Sequence, residues 1–321
     1  MPSKSIDNAF TARSLTGAAS DPTYAGALSF MRRKFTKSLK GADAVVWGIP
    51  FDAAVSNRPG ARFGPQAIRR ASAIFDNDPQ YPFGRDLFAE LAVIDYGDCL
   101  LDYGDHRETP RLIEREASKI LKSGAFLLSL GGDHFATWPL LKAHAAAHGP
   151  LALVQFDAHQ DTWFDDGRRI DHGSFVGRAA RAGVIEPSAS IQVGIRTQAP
   201  EDCGIAILHG DEVEELQAGE IAQAIIGRVG DRKAYVTFDI DCLDPAFAPG
   251  TGTPVAGGPS TARMLSVLRR LGNIEIVGAD VMEVSPPYDH ADVTAIAGAT
   301  IAMYYLGLLA ERLLAGRRAG A

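Results

Sequence analysis

Histidine and aspartate residues stand together directly after three short apolar runs of this 321-residue sequence. The segments are GGDH, which ends at His134, DAHQD over residues 157–161, and DIDCLDP, which begins at Asp239. Alternate residues of an extended chain point to the same side, so the first and third residues of the last two segments project together. The final aspartate of DAHQD can join them as the chain curls into a loop. The candidate ligands are therefore His134, Asp157, His159, Asp161, Asp239 and Asp241.

The chemistry of this set predicts a centre with two metal ions. Four carboxylates packed together repel one another unless some are protonated or cations lie among them. Two divalent ions bring four positive charges, and six protein ligands are too many for one catalytic ion that keeps an open position. Oxygen and imidazole ligands without sulfur favour Mn²⁺, with Zn²⁺, Co²⁺ and Ni²⁺ as alternatives.

Other polar residues in these regions receive structural interpretations. A single aspartate at a strand end is more often a cap than a ligand, and Asp133 is expected to support its loop. His144 and His148 are four residues apart but lack the glutamate of an H-E-x-x-H site, so we expect a solvated helix face. Cys242 alternates away from the neighbouring aspartates and is predicted to fill the core.

The elements that position these residues alternate between short apolar runs and longer helical patterns. This alternation predicts one three-layer α/β/α domain with a central, mainly parallel sheet of about eight strands, whose carboxyl ends carry the candidate ligands. We predict that residues 1–40 form a surface segment and residues 41–321 a single catalytic domain. The predicted strands are 44–48, 91–94, 126–130, 151–156, 191–195, 205–208, 234–238 and 274–281. The predicted helices are 65–72, 110–122, 138–148, 211–229, 260–271 and 292–314.

Composition excludes several classes of protein. The net charge of −7 argues against a nucleic-acid partner and suits a cationic small ligand. Three widely spaced cysteines argue against a disulfide framework, and the absence of a signal-peptide pattern favours a cytoplasmic location. Residues 293–310 carry no charge, yet their Ala, Gly and Thr content favours a buried helix over a membrane span. Dinucleotide, P-loop and nucleophile-elbow motifs are all missing from the sequence.

The three acidic segments together resemble the signatures of the ureohydrolase (arginase/agmatinase) family. The third segment continues into APGTGTPVAGG over residues 248–258, a run that is most similar to the agmatinases. The resemblance begins at GIPFD over residues 48–52 and reaches the final helix, so it extends over most of the chain. It implies the arginase-like fold, which agrees with the α/β/α architecture predicted from the pattern, and a homo-oligomer, either a trimer or a hexamer.

The resemblance also implies a role for each site residue. His172 matches the histidine that transfers protons, and an imidazole pKa near 6.5 suits that task. Glu283 matches the carboxylate that binds the guanidinium group, and a carboxylate can accept two guanidinium N–H groups side by side. The six ligands divide between two Mn²⁺ ions as three pairs: His134 and Asp161 complete one site, His159 and Asp241 complete the other, and Asp157 and Asp239 bridge both.

The predicted activity is manganese-dependent hydrolysis of a small cationic guanidino compound, with agmatine giving putrescine and urea as the expected reaction. A guanidinobutyrase or another guanidino-acid amidinohydrolase is the main alternative. Formiminoglutamate hydrolysis and deacetylation also occur on this fold. A metallophosphoesterase would need a GNHD motif, which is missing, and a non-catalytic metal-binding scaffold would be expected to have lost a ligand.

The choice of substrate depends on the loop over residues 162–171. It offers two aromatic residues for a methylene chain and three aspartates that could face the distal ammonium of agmatine. Arg168 and Arg169 complicate this prediction, because either could accept the carboxylate of 4-guanidinobutyrate. The alternative is that they pair with Asp165 and Asp166 at the surface.

Overall fold

A nine-stranded, wholly parallel sheet forms the centre of the computed structural model, which describes residues 7–19, 21–75 and 79–319. The sheet order is β1-β3-β2-β4-β9-β8-β5-β6-β7. Every pair of neighbours in this order is parallel, so all nine carboxyl ends meet at one edge. The strands are β1 (Lys34–Phe35), β2 (Ala44–Ile49), β3 (Val93–Asp98), β4 (Phe126–Gly131), β5 (Ala152–Phe156), β6 (Ile191–Ile195), β7 (Ala206–His209), β8 (Lys233–Asp239) and β9 (Glu275–Met282).

Helices cover both faces of this sheet and complete the three predicted layers. Most strand residues are buried on both faces, which explains their continuous runs of Val, Ile, Leu and Phe. Gly149 and Gly230 end two of the helices with a positive φ, a conformation that favours glycine. The helices of six or more residues are α1 (Gly64–Ala71), α2 (Thr109–Leu121), α3 (Thr137–His148), α4 (Phe175–Arg181), α5 (Gly210–Glu215), α6 (Ala218–Val229), α7 (Thr261–Leu268) and α8 (Val293–Ala319).

Two hydrophobic clusters divide the core, one on each face of the sheet. Alternate residues of β2 belong to different clusters: Val46 is in the cluster that includes residues of α1, α6, α7 and α8, whereas Val45 is in the cluster that includes residues of α2, α3 and α4. The three-layer prediction is confirmed. The strand count was slightly low, because the two-residue strand β1 has no apolar run to mark it.

The helix predictions differ from the structure in two places. The pattern over residues 211–229 is two helices, α5 and α6, because the chain adopts an extended conformation at Leu216 and Gln217 before Gln217 caps α6. Helix α4 was not predicted. Two further four-residue helices, Asn8–Thr11 and Leu87–Glu90, also lack a sequence signal.

Helix α8 is the uncharged segment for which a buried position was predicted. Residues Val293–Gly316 are long and apolar enough to cross a membrane, but 83% of their most apolar window is buried inside the structure. The segment therefore packs as a core helix, as expected. Part of the predicted surface segment 1–40 also contacts the core, since Phe30 and Met31 are buried. Residues 1–6 and 20 of this segment lie outside the described residues. The domain division remains a prediction.

The prediction for His144 was wrong. Its side chain is fully buried, and its ring packs on Tyr235 with centroids 4.8 Å apart. The ring also lies directly over Gly278, where an added Cβ would come 2.2 Å from His144 Nε2. Alanines on both sides of His144 conceal which face of α3 meets the sheet, so the spacing of His144 and His148 did not reveal that His144 is buried. Cys242 is buried, as predicted.

Candidate metal centre and active site

Four adjacent strands bring the predicted site residues together at the carboxyl edge of the sheet. These strands are neighbours in the order β4-β9-β8-β5, and a candidate site residue lies at or just after the end of each one. His134 follows β4, Glu283 follows β9, Asp239 ends β8, and Asp157 follows β5. Chain order reverses across this group, because β4 and β5 are consecutive in sequence but separated by β9 and β8. Ligands in open parallel sheets bind at such a switch point.

The two glycines of GGDH let the chain approach its neighbours closely. A Cβ on Gly132 would lie 1.9 Å from Phe51 O, and a Cβ on Gly131 would lie 1.8 Å from Met282 Sδ. Asp133 then accepts hydrogen bonds from the backbone N–H groups of Phe135 and Ala54. As predicted, Asp133 supports the loop that presents His134.

The imidazole of His134 points into one group of carboxylates. Its Nδ1 atom lies 3.0 Å from Asp239 Oδ2, 3.1 Å from Asp157 Oδ2 and 3.3 Å from Asp161 Oδ2. Nδ1 forms no hydrogen bond with any of them, although it is buried. Three oxygens and one nitrogen thus converge with no donor between them.

A second group forms around His159. Its Nδ1 atom lies 3.1 Å from Asp241 Oδ2 and 3.5 Å from Asp157 Oδ1. Asp157 therefore offers one oxygen to each group. The residues that could hold an ion form two triads: His134, Asp157 and Asp239, and Asp157, His159 and Asp241.

Burial and crowding shift the pKa values of the groups in the cluster in opposite directions. Burial and the neighbouring carboxylates raise the pKa of Asp161 and Asp239 well above the usual range. Burial opposes ionisation of Asp157 as well, yet His134 and His159 outweigh it and lower that pKa. Burial lowers the pKa of His159, but Asp241 and Asp157 raise it further, to about 12. Without added cations, ionisation of Asp161 and Asp239 is therefore disfavoured.

These residues fit a pair of divalent cations. Oxygens and imidazole nitrogens without thiolate suit Mn²⁺ and similar ions. The unpartnered His134 Nδ1 and the two-sided placement of Asp157 are what a binuclear site requires. The structure therefore contains His/Asp groups suited to metal, and the assignment of each ligand remains a prediction.

His172 and Glu283 contact each other beside this cluster. His172 Nδ1 lies 2.9 Å from Glu283 Oε1, which also accepts a hydrogen bond from the backbone N–H of His134. Glu283 Oε2 is buried and has no hydrogen-bond partner among the described residues. Glu283 is therefore a buried residue beside the cluster rather than a carboxylate on the surface.

The pKa of His172 reflects two opposing effects. Burial lowers it, and Glu283 more than offsets that effect and raises it to about 9. At the other ring nitrogen, Nε2, the hydroxyl of Ser56 lies 2.8 Å away and the Ser56 backbone N–H donates at 3.1 Å. Because Nδ1 contacts Glu283, Nε2 is the ring atom that is left to gain or lose a proton, with Ser56 as its neighbour.

A cavity of about 380 Å³ opens onto the cluster. Among the residues that line it, His134, His159, Asp161 and Asp239 contribute ligand candidates, and His172 with Ser56 forms another part of the wall. The predicted specificity loop forms much of the remaining wall through Trp163, Phe164, Arg169 and Asp171.

The charged residues of this loop differ from the prediction. Asp165 is buried and pairs with Arg178 at 2.9 Å, so it can face neither a substrate nor the two arginines. Asp166 accepts only the backbone N–H of Arg168 in the loop. Neither Arg168 nor Arg169 forms an ion pair within the described chain, and Arg169 reaches the cavity.

Several residues that support the site were not predicted. Ser56 contacts His172, Gln155 donates to Asp157 Oδ2 at 2.7 Å, and Thr253 donates to Asp241 Oδ2 at 3.2 Å. Thr237 and Asp280 lie behind His134. For the residues within strands, a polar side chain in an otherwise apolar run was the available signal. Ser56 and Thr253, in loops, had no such signal.

Comparison with known proteins agrees with this geometry. The arginase family model matches residues 42–307. An agmatinase from Chromobacterium violaceum is 48% identical over 97% of this chain and 97% of its own length. A crystal structure of a hypothetical agmatinase from Burkholderia thailandensis has a TM-score of 0.95 and 49% identity, covering 96% of this chain and 98% of that one. Proclavaminate amidino hydrolase from Streptomyces clavuligerus has a TM-score of 0.86 and 40% identity, covering 91% and 100%.

The chain belongs to the arginase family. It is an enzyme of the ureohydrolase type, as the three motifs predicted, with the arginase-like fold.

Proposed function

We propose that this ureohydrolase converts agmatine and water to putrescine and urea. The observation that carries the proposal is the pair of His/Asp triads at the floor of a cavity that Trp163 and Phe164 line. The relatives named agmatinase add support for the choice of substrate, at 48% identity over nearly the whole chain. We further propose two Mn²⁺ ions per chain, held as the resemblance implies, and a cytoplasmic homo-oligomer that contributes to polyamine synthesis.

The chain's own residues account for binding and proton transfer. A pair of divalent ions, when bound, lowers the pKa of a shared water far enough to provide a nucleophile at neutral pH. Glu283 Oε2 is buried beside Gly252, where a Cβ would stand 3.5 Å away, and Glu283 is not among the residues that line the cavity; because this oxygen has no hydrogen-bond partner among the described residues, we propose that it accepts a guanidinium N–H. Holding the planar guanidinium there orients its carbon toward the cluster.

His172 supplies the proton that the departing amine needs. Burial lowers the pKa of His172, Glu283 more than offsets this and raises the pKa to about 9, and the same carboxylate stabilises the protonated ring. After the proton leaves, Ser56 can hydrogen-bond to the neutral ring through its N–H at 3.1 Å. An imidazole with such a partner on each nitrogen can exchange a proton without leaving its position.

The test is urea release across a panel of guanidino compounds with added Mn²⁺. We expect agmatine to have the highest kcat/KM, ahead of 4-guanidinobutyrate and arginine. His159→Ala should lose activity, whereas His148→Ala, on the half-exposed end of α3, should match the wild type. Absence of urea release from every guanidino compound would refute the ureohydrolase assignment.

One observation favours 4-guanidinobutyrate as a second candidate. Arg169 lines the cavity without an ion-pair partner among the described residues, and a carboxylate at the far end of the substrate would complement it. Asp171, on the same wall, would instead complement an ammonium. Arg169→Gln separates the two: it should leave or raise kcat/KM for agmatine, and it should lower kcat/KM if 4-guanidinobutyrate is the substrate.

A further inference from the structure

A chain of buried hydrogen bonds runs from β9 to the candidate metal ligand His134. Thr237 of β8 and Asp280 of β9 are register partners in neighbouring strands, and both are fully buried. The Thr237 hydroxyl donates to Asp280 Oδ1 at 2.5 Å. The same hydroxyl oxygen lies 2.7 Å from His134 Nε2. The opposite ring nitrogen, Nδ1, is the one that faces the carboxylates of the cluster.

The direction of these hydrogen bonds determines which nitrogen carries a proton. A threonine hydroxyl has one hydrogen, and here that hydrogen is given to a carboxylate oxygen. With Asp280 ionised, the hydroxyl can only accept at its other contact, so His134 Nε2 is the donor. Nε2 therefore bears a proton whether or not a second proton occupies Nδ1.

Hydrogen bonds fix the position of the Asp280 carboxylate that accepts the Thr237 hydroxyl. Its Oδ2 atom accepts hydrogen bonds from the hydroxyls of Tyr235 at 2.8 Å and Thr137 at 2.9 Å. Three hydroxyl donors thus converge on one buried carboxylate, and no lysine or arginine pairs with it among the described residues. The ring of Phe175 packs 4.5 Å from that of His134 and restricts its rotation.

We propose that Asp280, acting through Thr237, holds a proton on His134 Nε2 and so presents Nδ1 as the metal-binding atom. Both residues are positioning residues, since neither reaches the cavity. Metal-binding histidines generally need such a partner on the other nitrogen, and its loss typically costs about 10- to 100-fold in metal affinity. The inference rests on the proposed metal centre, and it assigns a function to two polar side chains in the middle of the sheet.

The experiment compares four variants of the full-length protein after removal of metal by a chelator. Thr237→Val keeps the shape and removes the hydroxyl, whereas Thr237→Ser keeps the hydroxyl. Asp280→Asn removes the charge. Tyr235→Phe is the matched control, because it removes a donor to the same carboxylate without touching the contact with His134. Circular dichroism establishes that each variant is folded.

The first measurement is stepwise Mn²⁺ binding followed by calorimetry. We expect one of two binding steps to weaken about 10- to 100-fold in Thr237→Val and Asp280→Asn. Thr237→Ser and Tyr235→Phe should bind like the wild type. The proposal is overturned if Thr237→Val binds both ions normally, or if Tyr235→Phe weakens binding as much, since the effect would then come from general loosening of the sheet.

The second measurement is independent of metal. Nitrogen NMR of ¹⁵N-histidine-labelled, metal-free protein reports whether His134 Nε2 carries a proton, with the signal assigned by its loss in His134→Asn. We expect a protonated Nε2 in the wild type and in Thr237→Ser, and a shifted Nε2 signal in Thr237→Val, where the hydrogen-bond acceptor is lost. An unprotonated wild-type Nε2 overturns the proposal. If the wild type binds no Mn²⁺, the metal centre itself is refuted, and the nitrogen signal still decides the hydrogen-bond direction.

Discussion

Replacing Glu283 with glutamine tests the electrostatic design of the active site. The change keeps the shape of the side chain and leaves Oε1 able to accept its two hydrogen bonds, from the His134 backbone and from His172. It removes the negative charge and places an N–H₂ group where Oε2 was free to accept. The substrate's guanidinium then meets a donor instead of an acceptor.

The expected loss follows from that single contact. Hydrogen bonds to charged groups contribute about 1.5–3 kcal/mol. At about 1.4 kcal/mol for each tenfold change, kcat/KM should fall about 10- to 160-fold. The variant should also shift the pH profile. Burial lowers the pKa of His172 and Glu283 raises it to about 9, so removing the carboxylate lowers that pKa and moves the alkaline loss of activity to lower pH.

Urea release measured between pH 6 and 10, together with manganese content by mass spectrometry, checks both effects. Metal content should not change, because Glu283 belongs to neither His/Asp triad. Glu275→Gln, at the exposed opposite end of β9, is the matched control and should behave like the wild type. Wild-type kinetics in Glu283→Gln would refute the reasoning and leave Glu283 only a structural partner of His172.

Three other changes have defined outcomes. Asp157→Asn should empty both metal sites, whereas His159→Asn should empty one, because only the aspartate belongs to both triads. Metal analysis after dialysis checks this, and equal metal losses in the two variants would contradict it. Burial lowers the pKa of His144 to about 4, below the value near 6.5 expected in the unfolded chain. Between pH 6.5 and pH 4 the unfolded state therefore binds more protons than the folded state, so the free energy of unfolding falls as the pH drops through this range. Between pH 7 and pH 4.5, His144→Phe should abolish about 2 kcal/mol of the acid-induced loss in the free energy of unfolding. Equal losses in both proteins, measured by urea denaturation at the two pH values, would contradict this. Gly278→Ala should destabilise the protein by about 1–3 kcal/mol because its Cβ would overlap the His144 ring, and an unchanged urea midpoint would show that the ring can move.

The ligand candidates could be predicted because their signal is local. Each lies at or shortly after the end of a strand, and strand alternation places the first and third residues of the segments that begin at Asp157 and Asp239 on one side. Parallel strands also share a carboxyl edge, so residues far apart in sequence were expected to meet there. The structure brings all six together, and their roles as ligands await the metal analysis.

The contacts that support these residues could not be predicted, because they depend on the register between strands. Thr237 and Asp280 are register partners in β8 and β9, and nothing in either run of sequence specifies that register. The contact of His172 with Glu283 likewise joins two loops that meet only in the folded protein. In the specificity loop, Asp165 pairs with Arg178 of the unpredicted helix α4 rather than with a neighbour in sequence.

Backbone conformation explains how the last carboxylates reach the site. Asp161 and Glu283 both adopt a positive φ. In this left-handed region a residue with a side chain costs about 1–3 kcal/mol. Each is held by its surroundings: Asp161 O accepts the N–H groups of Val176 and Gly177, and Glu283 N donates to Gly132 O. With these turns, Asp161 Oδ2 lies 3.3 Å from His134 Nδ1 and Glu283 Oε1 lies 2.9 Å from His172 Nδ1. The fold therefore maintains local strain at two carboxylates of the site.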